Sequence, residues 1–209
     1  GILTSLEYCD YSSNGSLASR DILNFKYENN YILCSINGEE YEKWYEIIDG
    51  KITKFIDPKI KYFLKYDNNG RLATVSSEKY GRKTKTVFAW EDGKLVNTTT
   101  SYFSYYIDGY TNSYSESHRT ETYKYTYSSH FPNRCKGFFP ADEYVANYSG
   151  TYELCAAPWL IGMEQQDLPE KIEKEDIDDD TNTSISRTTE LFTYTYYEDG
   201  YLKTLTAER

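Results

Sequence analysis

No stretch of this sequence approaches the roughly 20 consecutive apolar residues that a membrane-spanning helix requires, so no helical membrane segment is expected. Histidine is confined to His118 and His130, and methionine occurs once. The four cysteines, Cys9, Cys34, Cys135 and Cys155, show no Cys-x-x-Cys spacing, which leaves a zinc knuckle or a thioredoxin-like motif without support. There is no Gly-x-Ser-x-Gly elbow, no His-Glu-x-x-His pair and no phosphate-binding loop. Positive charge is also in deficit. With 23 Lys and Arg against 33 Asp and Glu the formal net charge is −10, a field that repels phosphate backbones, so nucleic acid is not an expected partner. Neither a cofactor nor a resident metal is expected.

Aromatic residues make up 17% of the chain although only 39% of it is hydrophobic, and Tyr alone supplies 24 residues. A core must therefore be assembled largely from rings. Tyr buries an apolar body and keeps a hydroxyl that reaches water or a partner, which suits a sheet wet on one side. Tyr, Phe, Trp and Thr all favour the pleated, half-buried surface of a strand.

One pattern recurs along the chain: alternating aromatics, an acidic or Asn turn with Gly, then a second short β-type run. It runs from Leu23 to Ile36, Lys43 to Ile56, Tyr62 to Val75, Val87 to Thr100, Tyr102 to Tyr114 and Phe192 to Leu205. Each copy reads as a hairpin. The dipeptides Asp49-Gly50, Asn69-Gly70, Asp92-Gly93, Asp108-Gly109 and Asp199-Gly200 are expected to form type I′ turns, with Asn14-Gly15 a further copy. A segment from Leu168 to Tyr197, with an acidic tip at Asp178 to Thr183, reads as a longer hairpin.

The expected fold is all-β, a single domain over residues 1–209. It is an antiparallel up-and-down meander of repeated hairpins forming a strongly curved sheet or partly closed barrel. Period-two alternation puts Tyr123, Tyr125 and Tyr127 on one face and Thr122, Lys124 and Thr126 on the other. Residues 131–167 break the pattern with Pro132, Pro140 and Pro158, so one short helix or ordered loop is expected around residues 132–165, capping the sheet.

Hairpins of the form Tyr-x-Tyr-x-x-x-Gly-x-Leu, the stretch GMEQQDLP from Gly162 to Pro169 and the terminal YTYYEDGYLKTL from Tyr194 to Leu205 carry a resemblance. In these the chain resembles a family of exported Bacteroidetes lipoproteins of unknown function with a porin-like, open-barrel fold. The resemblance implies export, a lipid-modified Cys upstream of Gly1 as the membrane attachment, and no assigned activity or catalytic residue. An opening on Gly1 without an initiator Met agrees with the removal of an export signal, giving a periplasmic or cell-surface location as the expectation.

Four cysteines in an exported chain are disulfide candidates with three possible connectivities. Sequence proximity favours Cys9 with Cys34 and Cys135 with Cys155, and buried thiols are the alternative. His118 and His130, in polar turn-like sequence, read as solvated loop residues. The acidic tract from Glu170 to Asp180 lacks the Gly and the terminal Glu of an EF-hand loop and reads as a solvated hairpin tip.

Three function classes remain. The first is a non-catalytic exported binding module that recognises glycan or peptide on a concave aromatic face, where Trp44, Tyr66, Trp90, Tyr105, Tyr125 and Tyr194 are expected to converge. The second is a secreted inhibitor or interaction domain that uses its hairpin turns. The third is a hydrolase with a spatial pair of carboxylates. An outer-membrane barrel would fit only if the rings faced lipid.

Overall fold

Five of the six copies of the sequence repeat are hairpins in the structure, a computed structural model that describes residues 4–11, 15–40, 42–56, 61–79, 82–107, 114–134 and 163–208; the other, Tyr102 to Tyr114, runs over residues 108–113, outside the described residues. The first strands are β1 (Ser5–Tyr11), β2 (Leu17–Glu28), β3 (Tyr31–Ile36), β4 (Glu42–Ile48), β5 (Lys51–Ile56) and β6 (Lys61–Tyr66). They continue with β7 (Leu72–Lys79), β8 (Arg82–Glu91), β9 (Lys94–Ile107), β10 (Tyr114–Pro132), β11 (Asp167–Asp178), β12 (Thr183–Tyr196) and β13 (Leu202–Glu208). All thirteen pair antiparallel in chain order in one sheet, an up-and-down meander not closed into a barrel. Among the described residues there is no helix. The helix or ordered loop expected around residues 132–165 falls mostly on residues 135–162, outside the described residues.

A sheet one layer thick with a buried face must curl over that face. Leu23, Phe25, Ile32, Tyr45, Ile52, Leu64, Phe88, Leu95, Tyr123, Tyr125, Ile172, Phe192 and Tyr194 form one continuous buried cluster from β2 to β12. Rings in it keep their hydroxyls bonded. Tyr125 Oη lies 3.0 Å from Thr98 Oγ1, and Tyr194 Oη donates to Pro169 O at 2.5 Å. The other face carries Lys85, Lys124, Glu173, Glu175 and Arg187. In a membrane barrel those positions would face lipid, at roughly 2–4 kcal/mol for each Lys or Arg at the bilayer midplane. The rings face inward, so this pattern is the reverse of a membrane barrel wall.

The turns are of two kinds. Asp49-Gly50 and Asp92-Gly93 have positive φ at both residues, as a type I′ turn requires, and so does Asn37-Gly38, a turn absent from the expected set. At Asn69-Gly70 and Asp199-Gly200 only the glycine is left-handed. Gly70 N donates to Asp67 O and Gly200 N to Tyr197 O, so each is a type I turn closed by a left-handed glycine. Asp67 Oδ1 selects that form by accepting the N–H groups of Asn69 and Arg71 at 2.9 and 2.8 Å. Asp108-Gly109 and Asn14 lie outside the described residues.

Gly93 sits at φ +80° with nothing within 4 Å of an added Cβ, so a side chain there meets backbone strain and no clash. Gly93→Val is expected to lower stability by about 1–3 kcal/mol, read as a fall in the urea midpoint at constant m-value. An unchanged midpoint would contradict the left-handed turn.

Register also decides the nearer cysteine pair. Cys9 pairs with Arg20 and Cys34 with Phe25, positions five residues apart along β2 and on opposite faces. At about 3.3 Å per residue the separation is roughly 16 Å along the strand, against the Cα limit of about 7 Å for a disulfide. The Cys9–Cys34 bridge favoured by sequence proximity is therefore incompatible with the sheet. Cys34 is buried in the core beside Ser35. Cys135 and Cys155 lie outside the described residues.

Candidate functional site

The inner face changes character along the strands. At the upper end, which carries the turns at Asp49, Asn69, Asp92 and Asp199, it is aromatic and aliphatic. Toward the lower end of the long strands β8 to β12 it becomes hydroxylic and charged.

At the upper end the turns 67–71 and 92–93 and the return segment 163–167 enclose a cleft of about 420 Å³. Asn69, Arg71, Asp92, Glu164, Gln165 and Asp167 contribute its polar walls. Strand geometry sets their positions: Arg71 and Lys94 flank the turns of two consecutive hairpins, and Gln165 enters just ahead of β11. Lys94 Nζ is held 2.9 Å from Asp167 Oδ2 and 5.6 Å above the Tyr127 ring. Arg71 lies 5.8 Å over the Trp90 ring, whose Nε1 donates to Leu72 O at 2.8 Å. Tyr127 Oη lies 2.7 Å from Leu95 O and 2.8 Å from Gln165 Oε1, and burial pushes the phenol pKa well above its ordinary value.

Among the described residues four buried side-chain polar atoms have no hydrogen-bond partner: Thr53 Oγ1, Arg71 Nε, Gln165 Nε2 and Tyr196 Oη. Two of the four belong to residues that line this one cleft. Gln165 is only 2% exposed, so its free amide nitrogen cannot simply turn to solvent. Arg71 Nε lies 3.4 Å from Asp67 Oδ2 as an ion pair without hydrogen-bond alignment. Buried polar groups are nearly always satisfied, and two unsatisfied donors at one cleft mark a place where acceptor oxygens belong.

The six aromatic candidates do not form one exposed surface. Tyr125 and Tyr194 are buried in the core. Tyr66 and Trp90 pack partly buried at the upper end, with Tyr66 Oη donating to Ile52 O, and so stand behind the cleft rather than open to it. Tyr105 is 48% exposed and lies on the outer face, opposite Glu116 on β10. Trp44 is the extra residue of a bulge: Ile32 pairs with Tyr45 and Leu33 with Lys43, so Tyr45 takes the core position.

The carboxylates also assemble, but not freely. Across β10 and β11 Glu121 pairs with Asp176 on the inner face, and both are almost wholly buried. Arg119 Nε and Nη2 donate to the two Asp176 oxygens at 2.6 and 2.5 Å, and Nη2 also donates to Glu121 Oε1 at 2.5 Å. Glu121 further accepts from Tyr102 Oη at 2.9 Å and Lys174 Nζ at 3.3 Å. Two carboxylates and two cations balance in charge.

The histidines are strand residues, not loop residues: both lie on β10. His118 packs 4.9 Å from Phe103, and its Nδ1 lies 2.8 Å from Asp180 Oδ1. The hydrogen bond to Asp180 raises the His118 pKa, and the His118 backbone N–H lowers that of Asp180. In the acidic tip Asp178 Oδ1 accepts the N–H groups of Asp180 and Thr181, and Asp179 accepts from Thr120 Oγ1. Among the described residues no group of three or more His, Cys, Asp or Glu could hold a metal ion.

Sequence reasoning singled out neither the cleft nor the charged lattice. The signal for the cleft was the polar run Glu164 to Asp167 directly before a strand; the lattice carries none, because its members are far apart in the chain.

No family model matches the chain, and no curated protein matches it. The fold is similar to the crystal structure of a porin-like protein from Bacteroides vulgatus ATCC 8482, at 13% identity and a TM-score of 0.58. That match covers 96% of this chain and 85% of the other. A porin-like protein from Bacteroides uniformis ATCC 8492 is 14% identical, with 98% and 77% of the two chains covered and a TM-score of 0.43. At 13% identity what the first of these matches shows is a shared fold alone.

Proposed function

We propose that the chain is an exported, non-catalytic binding module that takes a saccharide in the cleft at the upper end of the sheet. The observation that carries this reading is the pair of buried donors without a hydrogen-bond partner, Arg71 Nε and Gln165 Nε2, at residues lining one cleft. Sugar hydroxyls offer acceptor oxygens to these donors and protons to Asp92, Glu164 and Asn69. The cleft volume falls in the roughly 300–1,000 Å³ range of small-molecule sites. An extended peptide would need a free strand edge, whereas the strands flanking this cleft are paired on both sides. The lipid anchor and the periplasmic or cell-surface location belong to the same proposal, resting on the resemblance and on the porin-like fold.

A few hydrogen bonds in a half-open cleft support dissociation constants of roughly micromolar to millimolar. The test is a glycan array followed by calorimetry on the wild type and on the Asn69→Ala/Glu164→Ala variant, whose side chains are both exposed. Binding by the wild type and a tenfold or greater loss in the folded variant support the reading. Absence of glycan binding, equal binding by the variant, or binding of peptides alone overturns it.

A further inference from the structure

At the opposite end of the inner face the sign of the surface reverses. A groove of about 270 Å³ crosses β8, β9 and β10 at their lower ends. The cationic side chains on its face are Arg82 and Arg119, with no carboxylate among its described lining residues, in a chain whose net charge is −10; Lys83 lines it only from the outer-facing parity, paired with Phe103. Thr84, Ser104 and Ser117 supply hydroxyls. The register brings these together: Thr84 pairs with Tyr102, Tyr102 with Arg119, and Ser104 with Ser117, all on one face.

We propose that this groove binds a small oxyanion, a sulfate or phosphate group carried as an ester on a hydroxylated ligand. Arg119 is the fixed element. Asp176 and Glu121 occupy its Nε and Nη2 and hold the guanidinium in one orientation, while Nη1 makes no hydrogen bond and the side chain remains 44% exposed. A guanidinium positioned in advance spends little conformational freedom on binding. Among the described residues Arg82 makes no ion pair, and across the β7–β8 ladder it pairs with Lys79, another cationic residue. Asp178, opposite Arg119 on β11, turns its Oδ1 to the N–H groups of its own hairpin tip. Two guanidinium heads with several hydroxyls match an anion presenting three or more acceptor oxygens better than a planar carboxylate, which one bidentate Arg satisfies. The strands here are paired on both sides, so a peptide could not dock by strand addition.

The test is calorimetry at low salt with inorganic sulfate, inorganic phosphate, a hexose 6-sulfate, a hexose 6-phosphate and the unmodified hexose. It uses the wild type, Arg82→Ser, and Lys124→Ser on the outer face as a charge control. The esters should bind the wild type and the control, weaken at least tenfold in Arg82→Ser, and weaken as salt rises. The better of the two esters identifies the source of the anion. The Asn69→Ala/Glu164→Ala cleft variant should bind the ester as the wild type does, which separates this site from the upper cleft. No ester binding, equal binding by Arg82→Ser, equal loss in Lys124→Ser, or binding of acidic peptides alone would overturn the proposal.

Discussion

Replacing Arg119 with Met is expected to remove about 2–4 kcal/mol of stability at pH 7, because it strands two buried carboxylates. Asp176 loses both of its hydrogen bonds to Arg119, and Glu121 keeps only Lys174 and the tyrosine hydroxyls. Breaking a buried pair from one side ordinarily costs roughly 3–5 kcal/mol; the partial exposure of the Arg119 side chain sets the lower figure here. The lattice itself need not be a net source of stability, since taking its charges out of water costs several kcal/mol per ion. That distinction can be measured. Arg119→Met/Glu121→Gln/Asp176→Asn, which removes these charges together, should recover part of the loss. A urea midpoint for Arg119→Met equal to that of wild type at pH 7 would show that Glu121 and Asp176 are not buried as a pair.

What the sequence made legible follows from what is local in the fold. Alternation along the run Tyr123, Tyr125, Tyr127 identifies the inner face because that strand is regular there, and the hairpins were readable because each closes within a few residues. Bulges defeat the same counting. One extra residue at Trp44, and another at Thr53 between the pairs Glu46–Lys54 and Ile47–Ile52, shift parity where the sequence gives no warning. Tyr105 was misplaced for a different reason: Tyr102 to Tyr106 is aromatic on both parities, and only the distant pairing of Thr98 with Tyr123 fixes which set faces in. The two turn types hid behind one dipeptide pattern, because the choice rests on Asp67, two residues before Asn69.

Neither proposed site was visible for the same physical reason. Glu121 and Asp176 become neighbours only when β10 pairs with β11, and Arg71 meets Gln165 only through turns separated by four strands. The basic groove left only a partial trace: Arg82 stands in a local run of cations with Lys83 and Lys85, but alternation sends those two to the outer face.

Two rings that the sequence presents alike should differ most when removed. Tyr45 is 0% exposed, set between Ile32 on β3 and the Phe55 position on β5, whereas Tyr105 stands half-exposed on the outer face with Phe103 4.6 Å away. Tyr45→Ala removes a fully buried ring, and among the described residues no second layer stands ready to move into the space. Its expected cost is about 3–5 kcal/mol, the range for losing a large aromatic from a core. Tyr105→Ala loses one edge-to-face contact at the surface and should stay within about 1 kcal/mol. Guanidinium unfolding of both variants at constant m-value gives the comparison. If Tyr45→Ala were no worse than Tyr105→Ala, the bulge at Trp44 would be misplaced, and the inner face of β4 would have to be redrawn around the opposite set of side chains.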